Sequence, residues 1–271
     1  MPFTKVRDIN MYYEVQGGGL CLLYISGTGG DLRASPSVFD GPLCDHFELL
    51  AYDQRGLGQT DKPDAPYTMG DYAEDAAALM DAMGWTSAMV MGVSFGGMVA
   101  QELAVRYPHR VERLVLCCTS SGGAGGASYP LHDLMDLSYE DQARKRIPIT
   151  DMRKDTAWQA AHPEETKQLI DTAVAAAEAR HQDSVVEMGY RRQLEARAEH
   201  DTYDRLGTLS MPVMLAGGRY DRQAAPENME TLRDLIPGSR LEFFEGGHGF
   251  LREDPRALQR LIAFLKSELR D

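Results

Sequence analysis

Three side chains in this sequence have the types and surroundings that covalent catalysis needs. Gly92-Val93-Ser94-Phe95-Gly96 sets one hydroxyl between two glycines. A strand-like run, Ser87 to Val93, leads into it, and a helix-like run continues to Tyr107. A serine on so sharp a strand-to-helix turn stands above the sheet, and neighbours without side chains avoid the clash that the strained backbone creates. Serine alone is a poor nucleophile and needs a base. Of the seven histidines, His248 stands out. It lies in Glu245-Gly246-Gly247-His248-Gly249-Phe250, after the last predicted strand and before the final helix. His46 precedes a strand, His109 follows a helix end, and His132, His162, His181 and His200 fall in a helical stretch. The base in turn needs an acid to fix its tautomer. Asp221, in Gly217-Gly218-Arg219-Tyr220-Asp221, follows a strand and precedes His248 by one helix and one strand. The strand ending at Cys118 is followed only by Thr, Ser, Gly and Ala, so it offers no competing acid.

The chemistry of such a set is acyl transfer. The serine attacks a carbonyl, and two backbone N–H groups hold the oxyanion. Phe95 supplies one donor by position. The loop Ser26-Gly27-Thr28-Gly29-Gly30 should supply the other, through the Thr28 N–H. This chemistry needs no metal and no organic cofactor.

These groups meet only if strands and helices alternate. Leu20–Ile25, Phe47–Tyr52, Ser87–Val93 and Val111–Cys118 read as strands. Tyr72–Met83 has helical apolar spacing, with a capping box at Thr68 and Asp71 and a stop at Gly84. Repeated βα units imply an α/β fold, with a mostly parallel sheet covered on both faces and its strand-to-helix loops along one edge. The pattern breaks at Ser120–Ser128, a flexible glycine loop by composition. No strand is expected from 129 to 209, so this stretch reads as a helical insertion, a cap, between core segments 1–128 and 210–271. Strands return at Pro212–Gly217 and Arg240–Phe244, a helix at Pro226–Leu235, and a last helix from Asp254-Pro255 to about Leu269. Within the cap, Tyr129, Trp158, Met135, Met152 and Met188 are candidates for an acyl pocket. Ser26 and Arg33 are candidates near the oxyanion loop, Arg33 as a partner for an anionic substrate.

Composition narrows the function. The chain has 271 residues, 43% hydrophobic, and a net charge of −13, which argues against a nucleic-acid-binding surface. The opening Met1-Pro2-Phe3-Thr4-Lys5 lacks the apolar stretch of a secretory signal, and no run approaches the ~18 apolar residues that span a bilayer. The expectation is a cytoplasmic protein with no membrane partner. Cys21, Cys44, Cys117 and Cys118 form no CxxC pair and read as small hydrophobes.

Taken together, Gly92–Gly96, Asp221 and His248 resemble the α/β-hydrolase family. Asp53-Gln54-Arg55-Gly56-Leu57-Gly58-Gln59-Thr60 is similar to the family's Asp-x-Arg-Gly-x-Gly-x-Ser turn, with Leu57 and Thr60 in place of a common His and Ser. Ser26 stands where many members have the His of a His-Gly pair. Tyr107-Pro108-His109-Arg110-Val111 resembles the segment after the family's nucleophile helix. Gly30-Asp31-Leu32-Arg33 and Tyr67-Thr68 resemble 3-oxoadipate enol-lactonases and their esterase and haloperoxidase-like relatives. A serine nucleophile sets the chain apart from the haloalkane dehalogenase and epoxide hydrolase branches, whose intermediate needs a carboxylate. The resemblance implies a serine hydrolase of esters or lactones, and a helical cap that largely closes the site predicts small to medium soluble substrates. A hydrolase splitting carbon–carbon bonds of dienone acids, with the same triad, is the alternative, and a non-catalytic receptor is a third.

Overall fold

The computed structural model describes residues 2–181 and 183–267. Its strands are β1 (Phe3–Val6), β2 (Ile9–Gly17), β3 (Leu20–Ile25), β4 (Phe47–Tyr52), β5 (Ala88–Val93), β6 (Val111–Cys117), β7 (Val213–Gly218) and β8 (Arg240–Phe244). They join in one sheet in the order β1-β2-β4-β3-β5-β6-β7-β8. From β4 to β8 every pairing is parallel, whereas β1 and β2 form an antiparallel hairpin paired to β4. The hairpin went unread in the sequence. It lies at the sheet edge with one side towards water, so Phe3 and Val15 are exposed and no continuous apolar run marks it.

The helices are α1 (Met69–Ala82), α2 (Phe95–Arg106), α3 (Tyr139–Thr150), α4 (Thr156–Ala161), α5 (Pro163–His181), α6 (Ser184–Ala198), α7 (Pro226–Leu235), α8 (Phe250–Glu253) and α9 (Arg256–Lys266). The expected continuation of the last helix to Leu269 lies outside the described residues. Alternation along the central strands sends side chains to two cores. Val90, Leu114 and Leu116 pack with α1, α2 and α7 on one face. Met89, Met91, Val115 and Cys117 pack with Phe250, Leu261 and Leu265 on the other. The Thr68–Asp71 capping box forms at the start of α1, and Gly84 follows its end at φ 73°.

Residues 129–209 contain α3 to α6 and no strand among the described residues. They lie over the C-terminal edge of the sheet and touch the loop that follows each of four strands. After β3, Gly29 N–H donates to Gln193 of α6 at 2.8 Å. After β4, Gly56 meets Gly189. After β7, Arg222 N–H donates to the Ile149 carbonyl at 3.1 Å, and after β8, His248 N–H donates to the Thr150 carbonyl at 2.7 Å. The glycine loop after β6 is pinned, contrary to its composition. Ser120, Ser121 and Ser128 are buried, and Gly122 bridges to Asp201. Gly122, Gly123 and Gly126 serve to adopt positive φ, at 68°, 53° and 86°. No described helix is long and apolar enough to cross a membrane.

A buried ion pair fixes the loop after β4 to α1. Arg55 donates to Asp75 at 2.7 and 2.8 Å and to Asp8 at 2.7 and 3.0 Å. The Asp75 side chain is 1% exposed. Arg55→Met should therefore leave a buried carboxylate with only the more exposed Arg7 as partner, at a cost of about 3 kcal/mol. A thermal melt should show a loss of roughly 5 °C or more, and an unchanged melting temperature would mean that the pair contributes nothing.

Candidate active site

Ser94 caps α2 in a conformation that residues with side chains rarely adopt, φ 57° and ψ −117°. Its neighbours show why the motif needs glycine. A Cβ at Gly92 would stand 2.3 Å from the Gly96 carbonyl oxygen, and one at Gly96 would stand 2.0 Å from that of Ile25. The turn is tied down by the Ser94 N–H, which donates to the Cys117 carbonyl at 2.8 Å. This places the hydroxyl at the N-terminus of a twelve-residue helix, where free N–H groups and the positive dipole end favour negative charge.

Residues far apart in sequence converge on that hydroxyl. His248 Nε2 is 2.9 Å from Ser94 Oγ, and His248 Nδ1 is 2.7 Å from Asp221 Oδ2. Asp221 is fully buried, and its Oδ1 accepts the Gln223 and Ala224 N–H groups at 2.7 and 3.0 Å. A carboxylate at Nδ1 only accepts, so Nδ1 carries the proton and the Nε2 lone pair faces Ser94. The loop bearing His248 is packed as tightly as the serine turn. A Cβ at Gly247 would meet the Thr150 carbonyl oxygen at 2.1 Å. Gln223 was missed in the sequence. Its Nε2 lies 2.8 Å from His248 Nε2, beside the Ser94 hydroxyl on the same lone pair. Only its position two residues after Asp221 could have drawn attention to it.

The loop after β3 lies against the serine. A Cβ on Gly27 would come within 3.9 Å of Ser94 Oγ. Among the described residues no protein acceptor takes the Phe95 or Thr28 N–H, so both donors stay available. Ser26 faces inward, with Gln54 Nε2 donating to its carbonyl at 2.8 Å and lying 3.3 Å from its hydroxyl. Arg33 is not brought to the site as a free cation. Its guanidinium is bonded to Asp31 at 2.9 and 2.5 Å and its side chain is 59% exposed. Trp158 stacks on His162 at 4.5 Å. Tyr129 N–H donates to the Gln223 carbonyl at 2.7 Å. Tyr129 also lines a cavity of about 1020 Å³ among α3, α4 and α5, and none of Trp158, Met135, Met152 and Met188 does.

Potential metal ligands meet once among the described residues. Cys118, Asp221 and His248 each bring a ligand atom within 4.8 Å of the others. The set fits a metal poorly, because burial pushes the Cys118 thiol far up, away from the thiolate a metal requires.

The model of the alpha/beta hydrolase fold family matches residues 21–255. The chain belongs to that family. It is 26% identical over 97% of its length to a putative carbamate hydrolase, RutD, of Azorhizobium caulinodans, covering 97% of that protein. It is 28% identical to a 2-hydroxy-6-oxo-2,4-heptadienoate hydrolase of Pseudomonas putida, over 96% of this chain and 94% of the relative. The crystal structure of an enol-lactonase from Burkholderia xenovorans superposes with a TM-score of 0.77 at 24% identity, covering 98% of this chain and all of that one. The α/β-hydrolase fold is thus common to proteins named for three different substrates, and the substrate of this chain must be argued from its own site.

The serine turn makes its own prediction. Glycine relaxes at φ 57°, ψ −117°, and alanine does not. Ser94→Gly should melt about 2 °C or more above Ser94→Ala, from roughly 1 kcal/mol of relieved strain net of glycine's entropy. Equal melting temperatures would mean that the turn is unstrained.

Proposed function

We propose that this chain is a serine hydrolase that cleaves small to medium carboxylic esters or lactones through an acyl-enzyme. The observation that carries the reading is the unbroken chain Ser94 Oγ, His248 Nε2, His248 Nδ1, Asp221 Oδ2, with contacts of 2.9 and 2.7 Å. As Ser94 Oγ attacks the carbonyl carbon, its proton passes to His248 Nε2. The Phe95 and Thr28 amides hold the oxyanion. Asp221 stabilises the imidazolium, which protonates the leaving oxygen as the carbon–oxygen bond breaks. Water then gives a proton to Nε2 and attacks the acyl carbon, and collapse of that intermediate returns the proton to Ser94 and frees the acid. In a lactone the leaving oxygen stays on the same molecule.

We read residues 129–209 as a cap over this site. Their contacts with the loops after β3, β4, β7 and β8 support that reading. A covered serine favours substrates small enough to pass beneath the helices over lipid aggregates. The Pseudomonas putida relative gives weight to a second reading, hydrolysis of a carbon–carbon bond next to a ketone. The same proton route serves both, with carbon in place of oxygen as the protonated leaving atom.

Hydrolysis of p-nitrophenyl esters from acetate to decanoate should favour the short chains. Ser94→Ala should lower kcat by at least about a thousandfold, and diethyl p-nitrophenyl phosphate should modify Ser94, read by peptide mass. Full activity in Ser94→Ala would sink the proposal. Turnover of a dienone acid with none of any ester would move the assignment to the carbon–carbon bond.

A further inference from the structure

Two buried arginines have no carboxylate partner among the described residues: Arg113, which donates to the Ser267 carbonyl and lies over the Phe264 ring, and Arg197. Arg197, on α6, is 5% exposed. Its Nη2 donates to Ser128 Oγ at 2.6 Å, and its Nε is buried with no partner. No carboxylate among the described residues lies within ion-pair distance of it. The side chains that act on its charge are Tyr190 and a second cation, Arg146, and neither is a carboxylate. Burial pushes the guanidinium down to about 10, so it stays charged at neutral pH. An unpaired buried charge is costly, and arginine is rarely buried without a partner. The chain carries a net charge of −13, so acidic side chains were abundant and none was placed here.

The surroundings are built for an acceptor. Arg197 lines a cavity of about 50 Å³ with Met98, Ser120, Ser128, His132 and His200. That space exceeds the roughly 10–15 Å³ that a single water needs. No aspartate or glutamate lines it. His200 is pushed down to about 4 by burial, so it adds no charge at neutral pH. One helical turn before Arg197, Gln193 holds the Gly29 N–H through its Oε1, which fixes the orientation of the amide. Its Nε2 is then a second buried donor without an acceptor. Two sequence relations link these groups to the serine turn. Met98 lies one turn beyond Ser94 on α2, and Gly29 follows Thr28 in the loop beside Ser94.

We infer that Arg197, with Ser128 and Gln193 beside it, is a carboxylate-binding subsite, and that the substrate is an ester or lactone carrying a second, free carboxylate. The guanidinium fork matches a carboxylate in plane and charge, and Nε–H supplies the open donor. The substrate half of this inference rests on the serine-hydrolase reading. The binding half does not.

Two measurements keep the halves apart. The first is a thermal-shift titration of the unmodified protein with sodium acetate and propionate, against acetamide, chloride and sulfate at matched ionic strength. Acetate and propionate should raise the melting temperature saturably, and acetamide and chloride should not. Ser94→Ala should keep the response. Arg197→Met, which retains the apolar stem, should weaken acetate binding tenfold or more, the scale of one charge-assisted hydrogen bond. Arg197→Lys should recover part of it. No saturable carboxylate response, an equal response to sulfate, or an undiminished response in Arg197→Met would each overturn the subsite. The second is the ratio of kcat/KM for p-nitrophenyl hemisuccinate to that for p-nitrophenyl butyrate. It should exceed one and fall at least tenfold in Arg197→Met, with the change in KM. A ratio unmoved by Arg197→Met would overturn the substrate class. Absence of turnover on both esters, with carboxylate binding intact, would count against the serine-hydrolase reading and leave the subsite standing.

Discussion

The first turn of α2 sits closer to the sheet than any side chain would allow, and the site depends on that approach. Gly96 lies under the Ile25 carbonyl and Gly92 under the Gly96 carbonyl, each nearer than a methyl group could stand. Between them the chain must reverse within one residue, so Ser94 takes a positive φ. The strain is held by parallel pairing of β5 with β3 and β6 on either side and by apolar packing of α2 against one face. A looser helix would still carry a serine. It would not hold that serine's oxygen 2.9 Å from a histidine that arrives on a loop 154 residues away.

Charge is distributed with equal economy. Asp221 is fully buried but answered by two backbone N–H groups and an imidazole. Asp75 is answered by Arg55 and Arg7. Asp53, also buried, accepts the Leu32 and Gln59 N–H groups, yet burial still pushes it up to about 6. Each of these anions lies in a loop or helix facing the C-terminal edge of the sheet or bracing it. Arg197 departs from this pattern: it reaches from α6 to Ser128 in the loop after β6, and its buried Nε has no partner.

Much of this was legible in the sequence. β3, β4, β8 and α7 match their expected spans residue for residue, because each is a short apolar run or an amphipathic period between clear turn signals. The meeting of Ser94, His248 and Asp221 was readable because each follows a predicted strand, and parallel strands bring those loops to one edge of the sheet. What escaped has a physical explanation. The β1–β2 hairpin is exposed on one side and shows only weak alternation. Gln223 and Arg197 escaped because polar residues of their kind are usually solvated, and nothing local to either marks it as buried. Around Arg197, the spacing Tyr190, Gln193, Leu194, Arg197 does repeat at three and four residues, the period of a packed helical face. Two of those positions are polar, which hid the stripe. Arg33 failed as a candidate for the opposite reason: Asp31, two residues away, already satisfies it.

The crossing of Gly189 and Gly56 bears on how the helical segment can move. A Cβ on Gly189 would stand 2.0 Å from the Gly56 carbonyl oxygen, so two backbones touch there with nothing compressible between them. Four residues on, Gln193 grips the Gly29 amide. An element clamped at two points one turn apart cannot swing about either, so α6 behaves as the fixed post of the structure above the sheet. The other side of the segment is built more openly: α3, α4 and α5 surround a broad cavity, and only a small apolar cluster of Ala143, Ile147 and Ile170 joins α3 to α5.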